Sequence, residues 1–273
     1  MKIVLVLISK EENNYINEWI KWHLSLGFDK IVIYDNSDSK DEKIETAINE
    51  EYLNKIDIIP YYDIKSAQFL AYNDAYKKYS MYDYIMFLDT DEFLILKKHK
   101  SIHDLILSIK IPFETIRFNW EMYDDNDIIE RNVEIPVMKA FDRKSVSPNA
   151  IKLNYRTKHL LKTNINGINI NSSHMSYKTI KGKFKNLITV LPSGKDITLS
   201  LPNKKCIDLN IIDDEVARVN HYITKSLSEF IAQKMKRGDV AFGDAEINFN
   251  NYYWLYNIKT PEKIEYLKNK KIL

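Results

Sequence analysis

Asp89, Thr90, Asp91 and Glu92 directly follow the apolar run Tyr84, Ile85, Met86, Phe87 and Leu88. Three carboxylates at the end of a strand repel one another and lose hydration unless a cation or hydrogen-bond donors compensate. A divalent ion does this well: Mg²⁺ or Mn²⁺ takes one or two carboxylates, several waters and the oxygens of a bound phosphate. On this reading Asp89 and Asp91 are metal ligands; the alternative is an acidic turn capping the next segment. His221 is the best candidate among six histidines. It stands between a strand-like run, residues 216–219, and Ser226-Leu227-Ser228-Glu229, which has capping-box spacing. His221 therefore enters the loop before a helix N-terminus. Such a terminus favours anions and Lys225 adds a charge, so the segment can close over a diphosphate while the imidazole joins the metal shell. A lone histidine is more often structural, and His23, on an apolar helical stripe, reads that way. Lys152, Arg156, Lys158 and His159 form a basic cluster placed to meet a phosphate or a second substrate.

The elements that must hold these groups alternate. Residues 2–8 are almost all β-branched or Leu, as in a strand buried on both faces of a parallel sheet. Ile16, Trp19, Ile20, His23 and Leu24 then follow helical spacing, and Gly27 sits where a helix C-cap is wanted. The spacing predicts further strands at 30–35, 56–60 and 83–88 and helices at about 41–53 and 65–79. Four strands separated by helices imply right-handed crossovers, a parallel sheet with helices on both faces, and ligands beyond the carboxyl ends of the strands. Beyond a helix at 101–110, the second half reads as short strands at 115–119, 135–141, 150–155, 187–191 and 197–201, with a helix resuming near 226. No linker or repeat divides the chain. We expect one domain, with a nucleotide-binding half (1–96), an acceptor half (97–240) and a tail (241–273).

Composition removes several classes. Of 273 residues, 45% are hydrophobic and 29% charged, so a sizeable core forms and disorder is excluded as the main state. A net charge of +2 gives too weak a field for nucleic-acid binding. Cys206 is the single cysteine, which rules out an intrachain disulfide and a four-thiolate zinc site and agrees with a cytoplasmic location. The early apolar run, residues 3–8, is far below the roughly 20 needed to span a bilayer. Only 6 glycines occur, the first at Gly27, so no Gly-rich phosphate loop follows the first strand. Dinucleotide-binding and Walker-type readings fall with it. The tail mixes Tyr252, Tyr253, Trp254 and Tyr256 with Lys259, Lys263, Lys268, Lys270 and Lys271. It reads as a packed aromatic cluster followed by a solvated helix, or as a peripheral contact with the inner face of a membrane.

Several motifs recur in one order. Lys10-Glu11-Glu12-Asn13 with Tyr15-Ile16-Asn17-Glu18-Trp19-Ile20, His23, Gly27 and Tyr34-Asp35-Asn36-Ser37 resembles the opening of glycosyltransferases related to families 2 and 92. Phe87-Leu88-Asp89-Thr90-Asp91-Glu92-Phe93 is similar to their metal-binding signature, and Asn220-His221-Tyr222 with Lys225-Ser226 and Arg237-Gly238 to their C-terminal block. The resemblance spans residues 3 to about 238. It implies a GT-A (Rossmann-like) α/β fold, a nucleotide diphosphate sugar donor such as a UDP-sugar, Mn²⁺ or Mg²⁺, a glycan or lipid-linked acceptor, and inversion at the anomeric carbon. Lys10, Glu11 and Asn13 after strand 1, Asp35 and Asn36 after strand 2, Lys65 and Gln68 in the first turn of the third helix, and Thr90 are then expected at the nucleotide. Asp35 and Asn36 equally suit a helix-initiating turn. Inversion needs a base, which the comparison places in Trp120-Glu121-Met122-Tyr123-Asp124-Asp125-Asn126-Asp127. Asp125 fits best, with Asp124 and Asp127 in reserve. A non-catalytic nucleotide- or carbohydrate-binding subunit is the alternative of a different class. A sugar-phosphate nucleotidyltransferase is disfavoured by the missing Gly-rich loop.

Overall fold

A computed structural model describes residues 1–38, 40–170, 173–174, 176–199, 201, 209–237 and 260–272. Cys206, Gly238, the aromatic run 252–256 and Lys259 lie outside the described residues. The first half follows the expected alternation. Strand β1 (Ile3–Ser9) is buried throughout, helix α1 (Ile16–Ser25) follows, and β2 (Lys30–Asp35) pairs in parallel with β1. Gly27, just past the end of α1, takes φ +92°, a left-handed conformation that other residues adopt at a cost. Strand β3 (Ile56–Pro60), helix α2 (Gln68–Lys78) and strand β4 (Tyr84–Phe87) complete a parallel β3-β2-β1-β4 order.

Helices cover both faces. Ile16, Trp19 and Ile20 of α1 share a core with Ile3, Leu5, Leu7, Ile31 and Ile33, whereas Ala71, Tyr72 and Ala75 of α2 pack with Val4, Val6, Val32 and Phe87. The small residues of α2 let its axis approach the sheet. His23 is a core residue, as its position on the stripe implied. Its Nδ1 lies 2.9 Å from the Trp19 carbonyl while Leu94 N donates to its Nε2, and burial pushes its pKa down to about 3.

Beyond β4 the sheet becomes mixed. Strand β5 (Glu92–Leu96), absent from the expectation, starts one tight turn after β4. Helix α3 (Ile102–Ser108) begins at a capping box between Ser101 and Asp104 and leads to β6 (Thr115–Met122). Strand β7 (Thr157–Lys162) runs antiparallel between β4 and β6. Two short strands, β8 (Ile168–Asn169) and β9 (Tyr177–Ile180), join β10 (Lys183–Lys185) in a separate three-stranded sheet. Strand β11 (Thr189–Val190) pairs with β6, and β12 (Ala217–His221) lies parallel to β6 and antiparallel to β5. The carboxyl ends of β1, β2, β3, β4, β6 and β12 thus share one edge.

Four expected elements differ. The helix at 41–53 is a pair of 3₁₀ turns, Ile44–Ala47 and Glu50–Lys55, because the Asp35 carboxylate takes the Ile44 amide and fixes the chain there. The strand at 135–141 is helix α4 (Val137–Ala140), whose first amides donate to the Glu18 carboxylate. The strand at 150–155 is helix α5 (Pro148–Leu153), which Pro148 starts at its first position. Residues 197–199 and 201 form turns rather than a strand. Helix α6 (Leu227–Phe230) continues as π-helical turns over Ile231–Arg237, and α7 (Pro261–Asn269) follows in the tail. No described helix is long and apolar enough to cross a membrane.

Candidate active site

The turn from Asp89 to Glu92 sits on the shared edge, between β4 and β5. Trp19 of α1 clamps it: the indole N–H lies 3.0 Å from the Asp89 carbonyl and 2.9 Å from that of Glu92. The Asp89 amide donates to Glu92 Oε2 at 2.9 Å, and Tyr222 N donates to the Asp91 carbonyl at 2.8 Å. Antiparallel pairing of β5 with β12 sets His221 opposite Glu92. His221 is thus the last residue of a strand, not part of the following loop, and its direction is fixed by sheet register.

Each carboxylate faces a cation from a distant element. Lys158 of β7, fully buried, lies 2.7 Å from Asp89 Oδ2 and 2.9 Å from Glu92 Oε2. Burial alone would push Lys158 down, but Asp89 and Glu92 hold its pKa up. Asp89 Oδ1 also accepts from Gln68 and Tyr72 of α2 at 3.2 and 3.3 Å. Asp91 is buried and has Lys234 3.0 Å from Oδ2 and His221 Nε2 3.6 Å from Oδ1. Burial pushes Asp91 up, yet Lys234, His221 and Lys225 outweigh it and hold the carboxyl well below its usual range. Lys225, buried and at φ +51°, lies 3.4 Å from Glu12 Oε2 and 3.8 Å above the Tyr15 ring. The π-helical turns bring Gln233 to Lys225 at 3.2 Å as well as Lys234 to Asp91. Such wide turns are frequent at functional sites.

Glu12, Asp89, Asp91 and Glu92 against Lys158, Lys225 and Lys234 leave one negative charge. Burial first of all pushes Glu92 up to about 7, so that this last charge is readily lost. The site is therefore nearly neutral within itself. Two buried polar atoms of the site, His221 Nδ1 and Glu92 Oε1, make no hydrogen bond within the protein and are the ones it can offer to a ligand.

The expected nucleotide residues are spread differently. Asp35 is committed to its turn, accepting from Ser37 N, Ser37 Oγ and Ile44 N at 3.1, 2.6 and 3.0 Å. Asn36 donates to the Tyr61 and Ile64 carbonyls and so ties the loop after β2 to the loop after β3. Lys10 pairs with Asp38 at 3.2 Å, and Lys65 is exposed. Asn13 keeps a buried Oδ1 without a partner, and Thr90 is buried within the turn. Glu11 gathers with Asp38 and Asp41 in an exposed to half-buried acidic group. Gln68 and Lys225 do belong to the carboxylate site.

The loop after β6 is heavily paired. Asp125, fully buried, meets Lys263 of α7 at 2.6 Å, and burial pushes its carboxyl up against that contact. Both oxygens of Asp124 accept from Arg143 Nε at 2.9 Å. Asp127 is exposed, meets Arg143 at 2.8 Å and is held below its usual range chiefly by that bond. Asp125 is therefore shut off from solvent behind Lys263 in this arrangement, whereas Asp127 is open to it. Nearby, Trp120 packs on His221 at 4.3 Å and on His174 at 4.9 Å, and its buried indole N–H has no partner. Sequence reasoning missed Glu12, Lys234 and Lys263, and placed Lys158 only in a basic cluster. Contacts of this kind join residues far apart in the chain and leave no local signal.

Residues 8–205 match the model of glycosyltransferase family 92. Comparison with curated proteins gave no match. Among solved structures, S. aureus TarS is similar over 59% of this chain and 28% of its own, at 15% identity and TM-score 0.37. S. aureus TarS 1-349 in complex with UDP-GlcNAc is similar over 59% and 45%, at 14% identity and TM-score 0.37. HddC from Yersinia pseudotuberculosis gives 8% identity and TM-score 0.32 over 59% of this chain and 77% of its own. The matched part is less than half the length of the TarS chains.

Proposed function

The chain belongs to glycosyltransferase family 92, and from that premise we propose that it moves a sugar from a UDP-sugar to a hydroxyl of a glycan or lipid-linked acceptor, with inversion. The observation that carries this reading is the self-neutralised cluster of carboxylates and lysines at the carboxyl edge of the sheet. Lys158, Lys225 and Lys234 are the groups to meet a diphosphate, and Asp91 and His221 those to meet a divalent cation. Cis ligands about 2.1 Å from Mg²⁺ or Mn²⁺ stand about 3 Å apart, close to the 3.6 Å between Asp91 Oδ1 and His221 Nε2. Asp89 joins them if its contact with Lys158 is exchanged. Lys158, Lys225 and Lys234 would thus hold the diphosphate and the carboxylates the cation, so that donor and cation together would match the charge of the site. The cation, when bound, stabilises charge on the leaving diphosphate.

The residues of the chain supply the rest. Gln68 and Tyr72 orient Asp89, and Trp19 holds the turn rigid. Lys225, aimed from a left-handed backbone, neutralises the departing phosphate. We assign the base to the loop after β6, with Asp127 as its accessible carboxylate and the Asp125–Lys263 pair as the anchor that positions it.

Titration calorimetry of UDP with and without Mn²⁺ tests the reading. Asp91→Asn should abolish turnover and weaken metal-dependent UDP binding by about tenfold or more, since it keeps the shape and removes the charge. His221→Ala should loosen the metal. Wild-type, metal-dependent UDP affinity in both variants would reject the ligand assignment. Retained donor binding with no transfer to any acceptor would instead favour a non-catalytic binding subunit.

A further inference from the structure

Charge is unevenly distributed outside the site. The whole chain carries +2, yet residues 163–195 contain Lys178, Lys181, Lys183, Lys185 and Lys195 and no Asp or Glu. Most of this charge lies on the hairpin β9–β10. Thr179 pairs with Phe184, and Ile180 with Lys183, across it. Lys181 and Gly182 take φ +50° and +72°, the left-handed pair that closes a two-residue turn. The base of the hairpin is rigid: Lys178 Nζ holds both oxygens of Glu114 at 2.6 and 2.7 Å. A Cβ at Gly167 would lie 2.3 Å from the Thr179 carbonyl, so the two backbones cross in close contact. The tip is different. No carboxylate among the described residues pairs with Lys181, Lys183 or Lys185. Beside them Ile180 is 47% exposed, Phe184 46% and Ile188 41%. The Phe184 ring is braced edge-on by Tyr177, with centroids 4.8 Å apart.

We propose that this hairpin docks the protein on an anionic lipid membrane, with Lys181, Lys183 and Lys185 on the headgroup phosphates and Ile180 and Phe184 in the interface. A soluble polyanion would satisfy the lysines and leave the apolar side chains in water. A bilayer surface satisfies both, because charge attracts and the boundary region accepts apolar groups. The inference goes beyond sugar transfer and does not depend on it.

Co-sedimentation of the full chain with phosphatidylcholine vesicles, with and without phosphatidylglycerol, tests it. Binding should require the anionic lipid and fall as salt rises, since the Debye length shrinks. Three lysines at a surface are together worth about a hundredfold in partitioning, so K181E/K183E/K185E should lose at least about tenfold. I180S/F184S should weaken binding that persists at high salt. UDP binding should be unchanged in both and melting temperature in the lysine variant, as the three lysines are exposed and pair with no described carboxylate. Wild-type partitioning by the lysine variant, salt-insensitive binding of the unaltered protein, or binding to polyphosphate but not to vesicles would each overturn the proposal.

Discussion

Glu92 is a buried carboxylate whose neighbours disagree about its charge. Burial raises its pKa to about 7 from an ordinary 4.5, opposed by Lys158 and His221 and reinforced by Asp89 and Asp91. A folded-state pKa above the unfolded one means stability that is full below 4.5 and lost as pH rises through about 7. Glu92→Gln should therefore flatten the fall in urea-unfolding free energy across that window, while Lys158 keeps its contact with Asp89. An unchanged slope in the variant would show that another group titrates there. Of the residues in this site, Gln68, Asp89, Asp91, His221 and Lys225 were singled out in the sequence. Carboxylates after an apolar strand and a basic residue before a capping box are local patterns. Lys158 and Lys234 were not assigned to the carboxylates, because their roles arise only when β7 and the π-helical turns are folded against β4. Asp35 and Asn36 suited two roles equally, and in the fold Asp35 closes its own turn while Asn36 ties that turn to the Tyr61 and Ile64 carbonyls.

At the scale of elements, strands buried on both faces were readable and short second-half pieces were not. Residues 3–8 and 31–34 are buried apolar runs rich in Ile, Val and Leu that specify strands without help, and 56–60 is a shorter, only partly buried one. Val137, Ala140 and Phe141 are buried at helical spacing, but a run this short is ambiguous, and the Glu18 carboxylate at its first amides decides for helix. Strand β5 went unread because Glu92 seemed to end a motif rather than begin a strand. The capping box of α6 shows how an element tunes the site. Ser226 Oγ receives the Glu229 amide, while Glu229 reaches back to Ser226 N at 2.9 Å and is held by Tyr15 OH at 2.8 Å and Arg131 at 3.0 Å. Ser226→Ala should lower unfolding stability by about 1 kcal/mol, the usual weight of an N-cap. It should also weaken UDP binding, because Lys225 immediately precedes the cap. A stability loss with wild-type UDP affinity would confine the cap to a structural part.

For the whole molecule, helix α7 packs one face, through Lys263 and Leu267, against the body and leaves the other in solvent. Lys263, read from sequence as one of a basic run, is buried between Asp125 and Asp127, and Leu267 packs with Leu227 and Phe230. Lys263→Met should destabilise the fold by about 3–5 kcal/mol, the cost of leaving a buried charge unpaired. Adding Asp125→Asn should recover much of that loss. A single variant that melts like wild type would show that water replaces the ammonium. The Lys263–Asp125 contact joins positions 138 apart, and this separation bears on when the molecule is finished, not only on how firmly it holds. At about 5–20 residues per second, a ribosome needs roughly 7–28 s to travel from one partner to the other. Throughout that interval Asp125 stands in a nascent loop without its lysine, whereas Arg143 is already there for Asp124 and Asp127. The acidic loop is thus among the last parts of the protein to take its final form.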